Sequence, residues 1–267
     1  MPPTFRTIIA ATVLAALSGQ ASSATCGNNA SGFNAWKTQF ASEAQRAGVG
    51  QRGLQALASA QYSQATINAD RNQKSFKYPL QKFMQLRGSA TIVAQGKKKR
   101  ASNAQLFDSL EAQYGVPAGV LIAIWGMETA FGGFMGDTPV VSAITTLTYD
   151  CRRSDFFQPH AIGALLLVDR GSISGTTRGA MHGELGHTQF LPGNAMRYGV
   201  DANGDGQVDF YNAVDALAST ANYLRSKGWR PGQGYQEGQP NFAVLSEWNA
   251  ATVYQQAIAI MGAQIDG

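Results

Sequence analysis

The chain has 267 residues, with 21 Lys and Arg against 17 Asp and Glu, a formal net charge of +4, 44% hydrophobic residues and 14% charged ones. It is long enough to bury a sizeable core, and its composition excludes wholesale disorder, collagen and a coiled coil. The mild charge comes with no basic stripe, so nothing points to nucleic acid.

At the N-terminus, Arg6 precedes an apolar run from Ile8 to Leu17, and small residues follow as far as Ala24. This order describes a secretory signal peptide. A spanning helix needs ~20 apolar residues, so the run is too short for an anchor. The reading is a signal peptide over 1–24 and one soluble, monomeric domain over 25–267, exported and without a membrane span. Cys26 and Cys151 are the two cysteines. Outside the cytoplasm an even pair reads as a disulfide, the alternative being two separately buried thiols.

In chain order, Phe33, Trp36, Phe40 and Ala44 recur at helical spacing, with Gly48 as a C-cap. The run Lys97 to Arg100 reads as a solvated loop. Ala104, Phe107, Leu110 and Tyr114 predict a helix over 102–114, ended by Gly115. Pro117 suits a first helical turn ahead of the apolar stretch Val120 to Trp125. Further helices are expected over 161–168 after Pro159, over 213–227 closed by Gly228, and over 249–261. Alternating patterns are scarce and no repeat is visible, so the fold is mainly α, with any sheet small and peripheral.

Three segments carry chemistry. Glu128 ends a stretch apolar on nearly every side, and Gly132 and Gly133 stop the helix just beyond it. Burial and the negative helix end both disfavour ionisation, which raises the pKa toward what a general acid needs. The bland alternative is a Glu paired with Arg152 or Arg153. The second segment, Asp201 to Asn212, places oxygen ligands Asp201, Asn203 and Asp205 at loop positions one, three and five. Gly206 holds the turn, Gln207 stands at position seven, and Asn212 replaces the usual final Glu. It reads as a weak calcium loop bracing structure, against an ion-free Asx turn. The third segment is Gly183 to Pro192. His182 and His187 flank Glu184, but at the wrong spacing for a zinc protease. A glycine-rich turn with the Gln189 amide suits sugar recognition better.

In order and spacing, these segments resemble the B-type lytic murein transglycosylases: Trp125-Gly126-Met127-Glu128-Thr129, Tyr149 to Arg153 with Phe156-Phe157, Gly183 to Pro192, the Asp201 loop, and Ala221 to Leu224. The resemblance runs from about Phe33 to the C-terminus. It implies a lysozyme-like helical domain with a groove for peptidoglycan glycan strands in the bacterial periplasm, and Glu128 as sole catalytic acid and base with no catalytic cofactor. It also implies that Gln189 and Tyr223 line sugar subsites, that Arg152 and Arg153 form a basic patch beside the groove, and that the Asp201 loop can hold structural Ca2+ or Na+. The chain departs from the family at Glu184-Leu185, where Ala-Met is usual, and at Ala180, where serine is common.

A lone carboxyl implies substrate assistance. The 2-acetamido group would stabilise the oxocarbenium-like state, and the sugar's own C6 hydroxyl would attack C1 to give a 1,6-anhydro end. Two other readings compete with this one. In a hydrolytic muramidase, Glu184 or Asp155 would serve as second carboxyl. A non-catalytic, calcium-braced wall-binding protein would use Glu128 structurally.

Overall fold

The computed structural model describes residues 24–72 and 77–267. The expected signal peptide, apart from its last residue Ala24, lies outside them. Among the described residues the chain folds into thirteen α-helices. The first six are α1 (Phe33–Arg46), α2 (Gln51–Ser59), α3 (Gln64–Arg71), α4 (Leu80–Leu86), α5 (Ser89–Ser102) and α6 (Ala104–Tyr114). Next come α7 (Ala118–Thr129), α8 (Val140–Tyr149), α9 (Ser154–Arg170) and α10 (Pro192–Tyr198). The last are α11 (Ala213–Ser226), α12 (Leu245–Trp248) and α13 (Thr252–Asp266). A two-stranded antiparallel sheet, β1 (Thr138–Pro139) against β2 (Arg178–Gly179), is small, as expected.

The core is organised around α7. Every residue of this helix except Glu128 is buried, as a helix apolar on all sides must be. It packs against α13 and α5. Gly119 makes the α13 crossing close, since a Cβ there would lie 2.1 Å from the Gly262 carbonyl oxygen. The basic run from Lys97 to Arg100 belongs to α5 rather than to a loop. Ile92 and Gly96 bury one face of that helix, and a Cβ at Gly96 would meet Ile122 and Ile265 at 2.8 Å. The cations occupy what remains: Arg100 caps the Asp266 carbonyl, and Lys99 sits 4.9 Å from the Trp125 ring.

Two further boundaries differ from expectation. α9 begins at Ser154 and carries Pro159 inside it. Tertiary anchoring outweighs the hydrogen bond that proline removes: Phe157 is buried, and the Ser154 hydroxyl donates to the Thr148 carbonyl at 2.6 Å. The last helix starts at Thr252, because Asn249 accepts the Ala251 N–H and turns the chain first. Cys26 and Cys151 are joined as a disulfide across 125 residues, tying the N-terminal segment to the turn between α8 and α9. The Gly27 N–H and the Cys151 N–H pair with the Tyr149 and Gly27 carbonyls beside it.

Candidate active site

α7 ends where it meets a cleft of about 520 Å³ whose wall includes Glu128, His160, Glu184, Gln189, Tyr223 and Trp248. The helix stops through left-handed residues at Ala130 (φ 49°), Phe131 (φ 64°) and Gly132 (φ 84°), so two non-glycine residues do what the glycines alone were expected to do. Such backbone is strained by about 1–3 kcal/mol per residue and needs surrounding support. The support is visible. Phe131 packs edge-on to Trp125 at 5.4 Å, the Trp125 indole donates to His187 Nδ1, and the Thr129 hydroxyl bonds the His187 carbonyl at 2.7 Å. Among the described residues the other positive-φ non-glycine is Gln189, also at the cleft.

The Glu128 carboxyl accepts two hydrogen bonds on the same oxygen. Tyr254 Oη donates to Oε1 at 2.6 Å and the Trp248 indole N–H at 3.2 Å. Among the described residues no cation forms an ion pair with it, so Arg152 and Arg153 are not its partners. Burial pushes its pKa up to about 7; the two hydrogen bonds and, least, the more distant Arg87 charge oppose that rise, and the nearby Glu184 charge adds to it. The Tyr254 hydroxyl, itself pushed far above 10.0 by burial and by Glu128, is a permanent neutral donor. Nothing in the sequence distinguished Tyr254 from the apolar residues that share its helix face.

The turn 183–190 folds back on itself, with Leu185 and Phe190 exchanging backbone hydrogen bonds and the His187 N–H reaching the Phe210 carbonyl. Gly186 (φ 62°) is required there, since a Cβ would lie 1.9 Å from that same Phe210 oxygen. The Gln189 amide nitrogen donates to the Gly186 carbonyl at 2.7 Å, so it braces the turn and leaves the amide oxygen for a ligand. Tyr223 is similarly committed: its hydroxyl donates to the Glu247 carbonyl at 2.6 Å, and its ring packs edge-on to Trp248 and Phe190. Glu184 lines the cleft and is held by His182 at both oxygens, by its N–H at 3.1 Å and by its imidazole Nδ1 at 3.3 Å. Asp155 does not share the cleft. It lines a neighbouring cavity of about 550 Å³, together with Arg152, Arg153 and the disulfide. Both arginines pair with the buried Asp70, and Phe156 walls both cavities.

In the Asp201 loop the expected last ligand is displaced. The Asn212 side chain caps α11 by accepting the Val214 N–H, the usual task of Asn at that position. The carboxylate that reaches the loop is the fully buried Asp215, accepting the N–H groups of Ala202, Asn203 and Asp209. Asp201 and Asp205 likewise accept the loop's own N–H groups. The donors are all oxygen, the ligand type a hard cation takes, with Asp215 rather than Asn212 as the last carboxylate, but here they are turned to the loop's own N–H groups. Among the described residues no cluster of three or more His, Cys, Asp or Glu is arranged to hold a metal ion.

Residues 32–239 match the model of the transglycosylase SLT domain. The chain belongs to that family. It is 34% identical over 137 residues to the membrane-bound lytic murein transglycosylase B of Escherichia coli strain K12, a match spanning 48% of this chain and 38% of that protein. The crystal structure of SltB3 from Pseudomonas aeruginosa in complex with NAG-NAM-pentapeptide is 27% identical with a TM-score of 0.80, over 88% of this chain and 80% of that one. The Escherichia coli lytic transglycosylase Slt35, in complex with calcium, shares the fold at 21% identity and a TM-score of 0.74, over 91% and 96%. No helix among the described residues is long and apolar enough to cross a membrane.

Proposed function

We propose that this protein is a peptidoglycan lytic transglycosylase, exported to the periplasm, that cleaves the MurNAc–GlcNAc bond without water and leaves 1,6-anhydro-MurNAc ends. The observation that carries this reading is a carboxyl poised near pH 7 at the wall of an open cleft, bonded by neutral donors alone. Both donors converge on Oε1, so Oε2 holds the transferable proton. Oε2 protonates the glycosidic oxygen as the bond to C1 breaks, and the 2-acetamido oxygen supports the positive charge at C1. The carboxylate then takes the proton of the C6 hydroxyl as that oxygen closes on C1. Tyr254 and Trp248 stabilise the carboxylate formed between the two steps. Digested sacculi analysed by mass spectrometry test this directly, since anhydro ends are lighter by one water than reducing ends.

Glu184 favours a second reading, because it places another carboxyl on the same cleft wall. A hydrolase using both carboxyls would release reducing ends instead. A protein that binds sacculi without clearing their turbidity would sink both catalytic readings. We also propose that Asp201, Asn203, Asp205, the Gln207 carbonyl and Asp215 hold Ca2+ or Na+ as a brace at the start of α11. Calcium is then expected to raise Tm while leaving kcat unchanged, and Asp215→Asn to abolish the shift. An unchanged Tm in millimolar calcium would refute the brace.

A further inference from the structure

His160 stands on α9, 8% exposed, in the wall of the Glu128 cleft. Its Nδ1 is sealed from solvent and is the one buried side-chain nitrogen or oxygen among the described residues without a hydrogen-bond partner. The ring is pressed against the first turn of α10, where a Cβ at Gly193 would lie 2.7 Å from Nδ1. Phe156 and Phe157 pack edge-on to it at 5.3 and 6.4 Å. Burial pushes its pKa down to about 4, so the imidazole is neutral and carries a single N–H. Nδ1 is unpaired in either tautomer, but a buried N–H without an acceptor is the rarer and less tolerated state than a bare acceptor nitrogen. The favoured tautomer therefore carries it on Nε2, the ring nitrogen left to face the cleft. Among the described residues no acceptor takes it.

We propose that His160 is a substrate-binding residue of the cleft, donating its Nε2–H to a neutral oxygen of the glycan, hydroxyl or acetamido carbonyl, beside the acceptor Glu184. This rests on the function proposed above. Glu184 is near enough for its charge to oppose the fall in the imidazole pKa. A donor next to a carboxylate acceptor suits a group that both accepts and donates, as a sugar hydroxyl or an acetamido group does, and repels an anion.

The test compares His160→Leu, His160→Gln and His160→Asn. The Gln amide nitrogen reaches the position of Nε2, whereas that of Asn stops at Nδ1. Each is made in the active protein and in Glu128→Gln, which reports binding of undigested glycan strands without turnover. Leu and Asn are expected to raise KM, and to weaken glycan binding, by about tenfold with kcat nearly unchanged, and Gln to restore most of the loss. Tm should hold or rise in His160→Leu, because it removes an unpaired buried polar atom. The proposal is overturned if Leu leaves KM and glycan binding at wild-type values, if Gln does no better than Leu, or if activity falls only in step with Tm. Failure of the parent protein to cut glycan would instead sink the functional reading, while glycan binding by the Glu128→Gln series would still judge His160.

Discussion

Phe156 stands between two cavities, and the acid set against each is treated in opposite ways. Asp70, 6% exposed, meets two guanidinium groups, with Arg153 at 2.9 Å. Glu128 meets a phenol and an indole. Opposite charge compensates a buried carboxylate outright; neutral donors do so in part, leaving desolvation to dominate. The first arrangement fastens α3 to the turn before α9. The second leaves a proton available near neutral pH.

Glu128→Gln breaks the comparison most severely, because the amide keeps the shape and the acceptor oxygen but has no proton to exchange. Turnover is expected to fall at least ~10³-fold with the fold retained. The variant also carries a stability signature. Folding raises the Glu128 pKa from 4.5 to about 7, so between those values the unfolded chain holds fewer protons than the folded one. The Glu128 contribution to stability therefore declines as pH rises from 4.5 through 7, by about 3 kcal/mol, while the lowered His160 pKa acts in the opposite direction over much of the same window in both proteins and cancels in their difference. The Gln variant lacks this decline and should gain on the wild type at pH 8 but not at pH 4.5. Urea unfolding at the two pH values checks it; an identical difference at both would place the carboxyl in water.

Asp70→Asn acts on the other cavity and should reverse the pattern. Arg152 and Arg153 lose their shared anion, but their side chains are 45% and 37% exposed, so water recovers part of the loss. A destabilisation of about 1–3 kcal/mol is expected in urea unfolding. The pH dependence of turnover should stay that of the parent. A moved limb would show that the two cavities are electrostatically one.

What the sequence disclosed follows from how local each feature is. The buried α7 and the carboxyl at its end were legible because an unbroken apolar run encodes a buried helix within a dozen or so neighbouring residues, though its stop begins at the left-handed Ala130 and Phe131, ahead of the glycines. The end of α6 at its Gly115 cap was legible for a similar reason, whereas α1 and α11 are capped by Ala47 and Lys227, each one residue before the left-handed glycine expected to close it. Asp215 was hidden, since it lies three residues past Asn212, inside the helix, and folds back on the loop through backbone N–H groups. The engagement of the Gln189 amide and the Tyr223 hydroxyl by carbonyls was equally invisible, because those partners are main-chain atoms. Tyr254 and Glu128 are 126 residues apart, and only the α7–α13 crossing brings them together.

Tyr254→Phe tests the smallest piece of the contrast, the contribution of one neutral donor. The ring is buried and Phe preserves its volume, so Tm should hold. The hydrogen bond from Tyr254 holds the Glu128 pKa down against burial. Its loss should therefore move the basic limb of the pH–rate profile to higher pH, with Trp248 left as the remaining donor. In the proposed mechanism stabilisation of the intermediate carboxylate is lost as well, and kcat on the plateau should fall by about tenfold. The two effects carry opposite signs at high pH, where the variant keeps more of its acid form while working more slowly. A limb that moved downward would mean that the phenol acts chiefly by shielding the carboxyl from water, and neutral donors would then not explain how this acid differs from Asp70.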